Sequence, residues 1–315
     1  MLRDVAIIGG GRWGRVILSV LATSDLPVGR ITMVTTHNVA LARDVVFRLA
    51  SIHPIRVVSV LSDRPSAAII TNAARSHGET ARNLIPQGAH LLIEKPVVMT
   101  LPDARNLVAL AHAAHSVLLP GLSYRFCSYL HHFAQRTAPL HPLSGFDFHW
   151  SDPAGEIRYG EQKNYDAIIN VADDVMPHIW AILSVLFPQA VFAATSCKTA
   201  RSGKTATFTL DAENLKGTVR LERDSDRRRR LIQLSAPASL DFSVEPGTMT
   251  IGAETIMGDP DWATSPGPLA RQLRYFLDCV EEGKTAEADE TALLETVRLA
   301  ESASALLSAR VPVEG

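Results

Sequence analysis

As far as residue 120 the chain alternates short, continuous apolar runs with longer segments whose apolar positions recur at helical spacing. Val5-Ala6-Ile7-Ile8 is four apolar residues closed by glycine, the pattern of a parallel strand buried on both faces. Trp13 to Ala22 has helical spacing and stops ahead of Pro27. Ile31 to Val34, Val57 to Val60, Ala67 to Ile70 and His90 to Ile93 extend the strand series. Helices are predicted at 40–50, about 77–87 and 102–115. Strand and helix in this alternation predict βαβ units and a doubly wound parallel sheet, a Rossmann domain.

The period changes after Val117-Leu118-Leu119. Phe146 to Trp150, Thr205 to Leu210, Thr218 to Leu221 and Leu231 to Leu234 alternate apolar and polar residues, which suits a sheet with one exposed face. One long helix, roughly 173–186, precedes most of these strands, and helices near 269–282 and 289–308 close the chain. The fold class is therefore α/β: a Rossmann domain over 1–121, then an α+β domain over 122–315 with an open, largely antiparallel sheet. The closing helices are free to pack back on the first domain.

Composition removes several function classes. With 31 basic and 33 acidic residues the chain is nearly neutral, so neither nucleic acid nor a membrane surface is expected as a partner. Cys127, Cys197 and Cys279 lie far apart, which argues against a zinc site or a disulfide framework and for the cytoplasm. No basic and apolar leader opens the chain, and no apolar stretch reaches the roughly 20 residues of a membrane span. His131-His132 lacks a third ligand at sensible spacing, so no metal is expected.

Gly9-Gly10-Gly11-Arg12-Trp13-Gly14 is a GxGxxG placed between the first strand and the first helix. Its glycines permit a tight turn at Gly9, approach of backbone to a pyrophosphate at Gly11, and close helix–strand packing at Gly14. The helix N-terminus would then meet the phosphates. NAD sites usually carry an acid after the second strand, but here that stretch reads Thr35-Thr36-His37-Asn38. Thr36 and Asn38 can donate to a 2′-phosphate, with Arg12 and Arg43 as sources of charge. The cofactor expected is NADP in preference to NAD.

Several later segments resemble one family. Ile69-Ile70-Thr71-Asn72, followed by His77, is similar to the turn that passes near the nicotinamide in the Gfo/Idh/MocA oxidoreductases. Glu94-Lys95-Pro96 resembles that family's Glu-Lys-Pro signature, and Asp174-Val175-Met176-Pro177-His178 its Asp-x-x-x-His motif. Gly121 to Phe126 resembles its crossing into the second domain. The resemblance implies hydride transfer between NAD(P) and a small polar substrate. It also implies cofactor contacts from Thr71, Asn72, His77, Glu94 and Lys95, and a catalytic set of Lys95, Asp174 and His178. Relatives associate through the second domain's sheet, which implies a homo-oligomer, dimer or tetramer.

The residue types suit that chemistry. A histidine exchanges protons near neutrality, which fits His178, and the Lys95 ammonium can polarise a substrate oxygen. Asp174 lies four residues before His178 and on a helix would share its face. Pro177 suits a first helical turn, however, so Asp174 or Asp173 also reads as the N-cap, and His178 as a core histidine. Tyr124, Arg125, Trp150 and Tyr165 are further substrate candidates, with Arg125 equally suited to a structural ion pair. His149 and Asp152 flank Trp150. Arg227 to Arg230, after Asp224 and Asp226, reads as a charged hairpin with two arginines on each face.

The chain departs from the family where glycines often precede the aspartate, here Ile168-Ile169-Asn170-Val171-Ala172, and at Met176. Reduction of a C=N bond therefore stands beside a carbonyl/alcohol pair. The reading from another class is a dinucleotide-binding regulator without turnover.

Overall fold

The computed structural model describes residues 3–140, 142–158, 161–162, 166, 168–244, 247–257 and 267–310. The chain divides into two units, Met1–Phe126 with Ser265–Val297, and Cys127–Thr264 with Arg298–Gly315. Its helices are α1 (Arg12–Thr23), α2 (Val39–Arg48), α3 (His77–Leu84), α4 (Leu101–Ala113), α5 (Ser128–Thr137), α6 (Val171–Leu186), α7 (Pro268–Glu282) and α8 (Glu287–Ser308). None is long and apolar enough to cross a membrane.

The first unit holds a six-stranded sheet of β1 (Arg3–Ile8), β2 (Val28–Val34), β3 (Ile55–Val58), β4 (Ala67–Ile70), β5 (His90–Glu94) and β6 (Leu118–Gly121). The order is β3-β2-β1-β4-β5-β6 and every pairing is parallel. Strand order reverses at β1, so the carboxyl ends of β1 and β4 form the switch point where open α/β sheets bind ligands. Helices on both faces explain the unbroken apolar strands. On one face Ile17, Leu18 and Leu21 of α1 cluster with Leu273, Phe276 and Leu277 of α7. On the other, Ala81, Leu107 and Leu293 cover Ile70, Leu91 and Ile93.

The third strand begins earlier than its sequence pattern suggests. Ile55 and Val57 pair opposite Ile31 and Met33, while Val60, read as a strand residue, stands exposed beyond the end of the sheet.

The second unit carries an eight-stranded sheet of β7 (Gly145–Pro153), β10 (Ala193–Ala200), β11 (Thr205–Ala212), β12 (Leu215–Ser225), β13 (Arg229–Leu234), β14 (Ala238–Asp241), β15 (Thr248–Ile251) and β16 (Glu254–Met257). A separate two-stranded piece pairs β8 (Ile157–Arg158) with β9 (Glu161–Gln162). The large sheet runs β10-β11-β12-β7-β13-β14-β15-β16, and only β7 with β12 is parallel. Phe146, Phe148 and Trp150 point inward at alternate positions of β7. There Phe148 meets Phe242, which also packs on Tyr129 of α5, and Phe146 stacks on Phe187 at the end of α6.

The charged hairpin expected at Asp224 to Arg230 does not form. Strands β12 and β13 lie on opposite sides of β7, so the segment between them passes the end of β7 rather than turning back on its own partner.

Candidate active site

In the first unit, Gly9 adopts φ of 124°, a conformation open to glycine and costly for any L side chain. A Cβ there would lie 2.6 Å from the Asn72 backbone nitrogen, and one on Gly14 would lie 2.1 Å from the Gly9 carbonyl oxygen. These two glycines let the β1–α1 loop press against the β4 turn. Gly11 is different: a Cβ added there meets nothing within 4 Å. Gly11 is also the N-cap of α1 and supplies no side-chain cap, so it leaves space and backbone N–H groups for an anionic ligand. A dinucleotide pyrophosphate fits that cradle.

Two turns complete this side of the sheet. Thr71, after β4, donates its hydroxyl to the Gly9 carbonyl at 3.0 Å, fixing the glycine loop. Asn72 donates through Nδ2 to Thr80 Oγ1 at 2.9 Å, while its buried Oδ1 accepts no hydrogen bond among the described residues. Behind it, His77 is buried with Nδ1 2.8 Å from the Pro96 carbonyl and Nε2 3.1 Å from the Asn72 carbonyl. The imidazole thereby lies between the turn after β4 and the turn carrying Lys95, and as a neutral ring it donates to one of the two carbonyls. Burial lowers its pKa, against the opposing pull of the Pro96 and Asn72 carbonyls.

Glu94 ends β5 with its carboxyl buried. Burial pushes its pKa up to about 7, although the Trp13 indole and the Lys95 charge both favour the carboxylate. Gly121 on β6 makes room for it, because a Cβ there would lie 2.9 Å from Glu94 Oε1. Lys95 itself is half-buried and follows directly in the chain.

In the second unit, α6 carries the other two candidates. Its N-cap is Asn170, whose Oδ1 accepts from the N–H groups of Ala172 and Asp173 at 2.8 and 3.0 Å. Neither aspartate is therefore the cap. Asp174 is helical and shares a face with His178, one turn on. Pro177 lies inside the helix, where it lacks the N–H that would bond to the Asp173 carbonyl. Arg223 of β12 reaches across to Asp174 Oδ2 at 3.2 Å and donates to the carbonyls of Ile169 and Asn170. His178 stacks on Trp150, ring centroids 5.3 Å apart and planes within 14°.

Residues 3–122 match a family profile described as an oxidoreductase family with an NAD-binding Rossmann fold, Gfo/Idh/MocA. The glycine loop and the Lys95 turn both lie inside that span. The chain resembles the Gfo/Idh/MocA oxidoreductases over it. It is 25% identical over 268 residues to YceM of Salmonella typhimurium, named as an oxidoreductase, across 80% of this chain and 83% of that one. Two solved structures share the fold across nearly the whole length. One is the UDP-N-acetylglucosamine 3-dehydrogenase of Acidithiobacillus ferrooxidans (TM-score 0.76, 18% identity, 99% of this chain and 100% of that one). The other is KijD10, a 3-ketoreductase of Actinomadura kijaniata (TM-score 0.75, 14% identity, 96% of each chain), in complex with TDP-benzene and NADP.

The remaining site candidates scatter. Arg12 opens α1, and Thr36, His37 and Arg43 are exposed after β2 and on α2. Asn38 donates its backbone N–H to Thr35 Oγ1 at 3.3 Å. Tyr124 is buried, and Arg125 pairs with Asp289 at 2.8 Å. Trp150 is buried on β7, Asp152 pairs with Arg230, and His149 faces Glu222 on the opposite side of the sheet. Tyr165 lies outside the described residues. Sequence reasoning passed over Arg223 and read Arg230 as part of a charged hairpin with two arginines on each face. Arg228 and Arg230 are the inward pair, bound to Glu156 and Asp152.

Proposed function

We propose that the chain transfers a hydride between a nicotinamide cofactor, NADP in preference to NAD, and a carbonyl/alcohol carbon of a sugar-like substrate. The observation that carries this reading is the placement of His77. Its ring lies between the Lys95 turn and the Thr71–Asn72 turn, which in turn braces the glycine loop. Cofactor cradle and Lys95 are thus parts of one edge of the sheet.

When bound, the cofactor supplies or takes the hydride at nicotinamide C4. In this reading Gly9, Gly11 and Gly14 would admit its pyrophosphate, Thr71 and Asn72 would lie beside its nicotinamide end, and Arg12, Thr36, His37, Asn38 and Arg43 would surround its adenosine end. The acid-free stretch after β2 favours a 2′-phosphate there. Lys95 polarises the reacting oxygen, and His178 takes the proton in oxidation and returns it in reduction. Asp174, steadied by Arg223, binds a substrate hydroxyl or orients the imidazole. The names of the two structural neighbours make the 3-hydroxyl/3-keto position of a nucleotide-linked sugar the first substrate to try.

The test incubates the full chain with UDP-N-acetylglucosamine and NADP or NAD, and with ketosugars and NADPH or NADH, following nicotinamide absorbance. Lys95→Met should lower kcat by about 10²–10³ and His178→Asn by about 10²–10⁴, both with NADPH binding retained. Full turnover by either variant would remove that residue from the mechanism.

A further inference from the structure

Strand β7 places Trp150 and Asp152 on its inner face, and neighbouring β13 places Arg230 beside them. The Arg230 guanidinium lies 3.5 Å from the centroid of the Trp150 ring. It is held in that plane by the Asp152 carboxylate and by donation to the Ser151 and Arg229 carbonyls, each at 2.6 Å. The indole N–H donates to the second Asp152 oxygen at 3.3 Å, so one carboxylate fixes both layers. The His178 imidazole lies nearly parallel to the same indole, ring centroids 5.3 Å apart. Arginine and histidine thus both pack on one tryptophan inside the second unit.

Such a stack needs a reason. Arg230 and Asp152 are each only 1% exposed, and an ion pair buried so fully stabilises a fold no better than apolar side chains of the same volume. What it supplies is orientation: a cation over an indole face, with the N–H anchored, leaves the ring one plane and one rotation.

We propose that Trp150 and Arg230 are positioning residues for His178, holding its imidazole in one orientation for proton exchange. This rests on the role given to His178 above. It also replaces a substrate contact by Trp150 with a contact to the proton-exchanging ring. The three groups come from a strand, its neighbour and a helix that have no other reason to converge on one aromatic plane.

The test is nuclear magnetic resonance of the full-length protein labelled in histidine, with the His178 signals assigned by their loss in His178→Gln. The indole ring current should move the His178 ring protons upfield. Trp150→Leu should abolish that displacement. Trp150→Phe, which restores an aromatic face, should recover part of the displacement, and Arg230→Gln should reduce it. Should Trp150→Leu fail to fold, as judged by the other histidine signals, the Phe and Gln variants decide alone. Unchanged His178 signals in these variants, or undisplaced signals in the wild type, would overturn the proposal. A chain that shows the signature but turns over no substrate counts against the proton-exchange reading alone. One that turns over without the signature counts against positioning alone.

Discussion

Glu94 shows how much a single residue's environment changes its reading. In sequence it is the first letter of a three-residue signature. In the structure it is a buried carboxyl whose pKa rises from its ordinary 4.5 to about 7, chiefly through loss of hydration. The native state therefore holds this proton more tightly than the unfolded chain. The resulting stabilisation is complete below the ordinary value and disappears as pH rises through about 7. A shift of that size corresponds to about 3 kcal/mol of pH-dependent stability. Chemical denaturation of the wild type and Glu94→Gln across this range should show the wild type losing that amount relative to the variant between acid and neutral pH. Parallel curves would mean that the carboxyl is hydrated in solution.

The elements of the first unit were largely legible, because strands buried on both faces read as plain apolar runs and glycines mark the loop between the first strand and helix. Steric detail separates those glycines. Gly11→Val should leave the melting temperature nearly unchanged, since its side chain enters open space, while weakening NADPH binding at least tenfold in a fluorescence titration. Gly14→Ala should lower stability, because its Cβ meets the Gly9 carbonyl oxygen. Equal effects of the two on stability and binding would contradict the assigned cradle. The start of α6 was not legible. Asn170, Asp173 and Asp174 all make good caps, and only the hydrogen bonds to Asn170 select among them. Arg223 and Arg230 were missed for a related reason: an arginine run reads as a charged hairpin, and nothing local to Arg223 names Asp174, 49 residues away, as its partner. Long-range pairing of β12 and β13 to opposite sides of β7 is equally invisible to local alternation.

For the whole molecule, α7 and the first half of α8 belong to the Rossmann unit, although both follow the second unit's strands in the chain. The packing of Leu273, Phe276 and Leu293 against the two faces of the parallel sheet is the physical reason. Residues 3–122 match an oxidoreductase family with an NAD-binding Rossmann fold, and the chain carries an open glycine loop, an ammonium at a strand end and a stacked imidazole. Hydride transfer is the claim that unites them. Its most direct test is to incubate the full chain with C4-deuterated NADPH, using each hydrogen face in turn, and a 3-keto nucleotide sugar, then to follow the label by mass spectrometry. The account predicts carbon-bound deuterium in the sugar product from one of the two faces, and none from Lys95→Met on the same timescale. Tight cofactor binding with no deuterium delivered from either face to this sugar or to other ketosugars would contradict it.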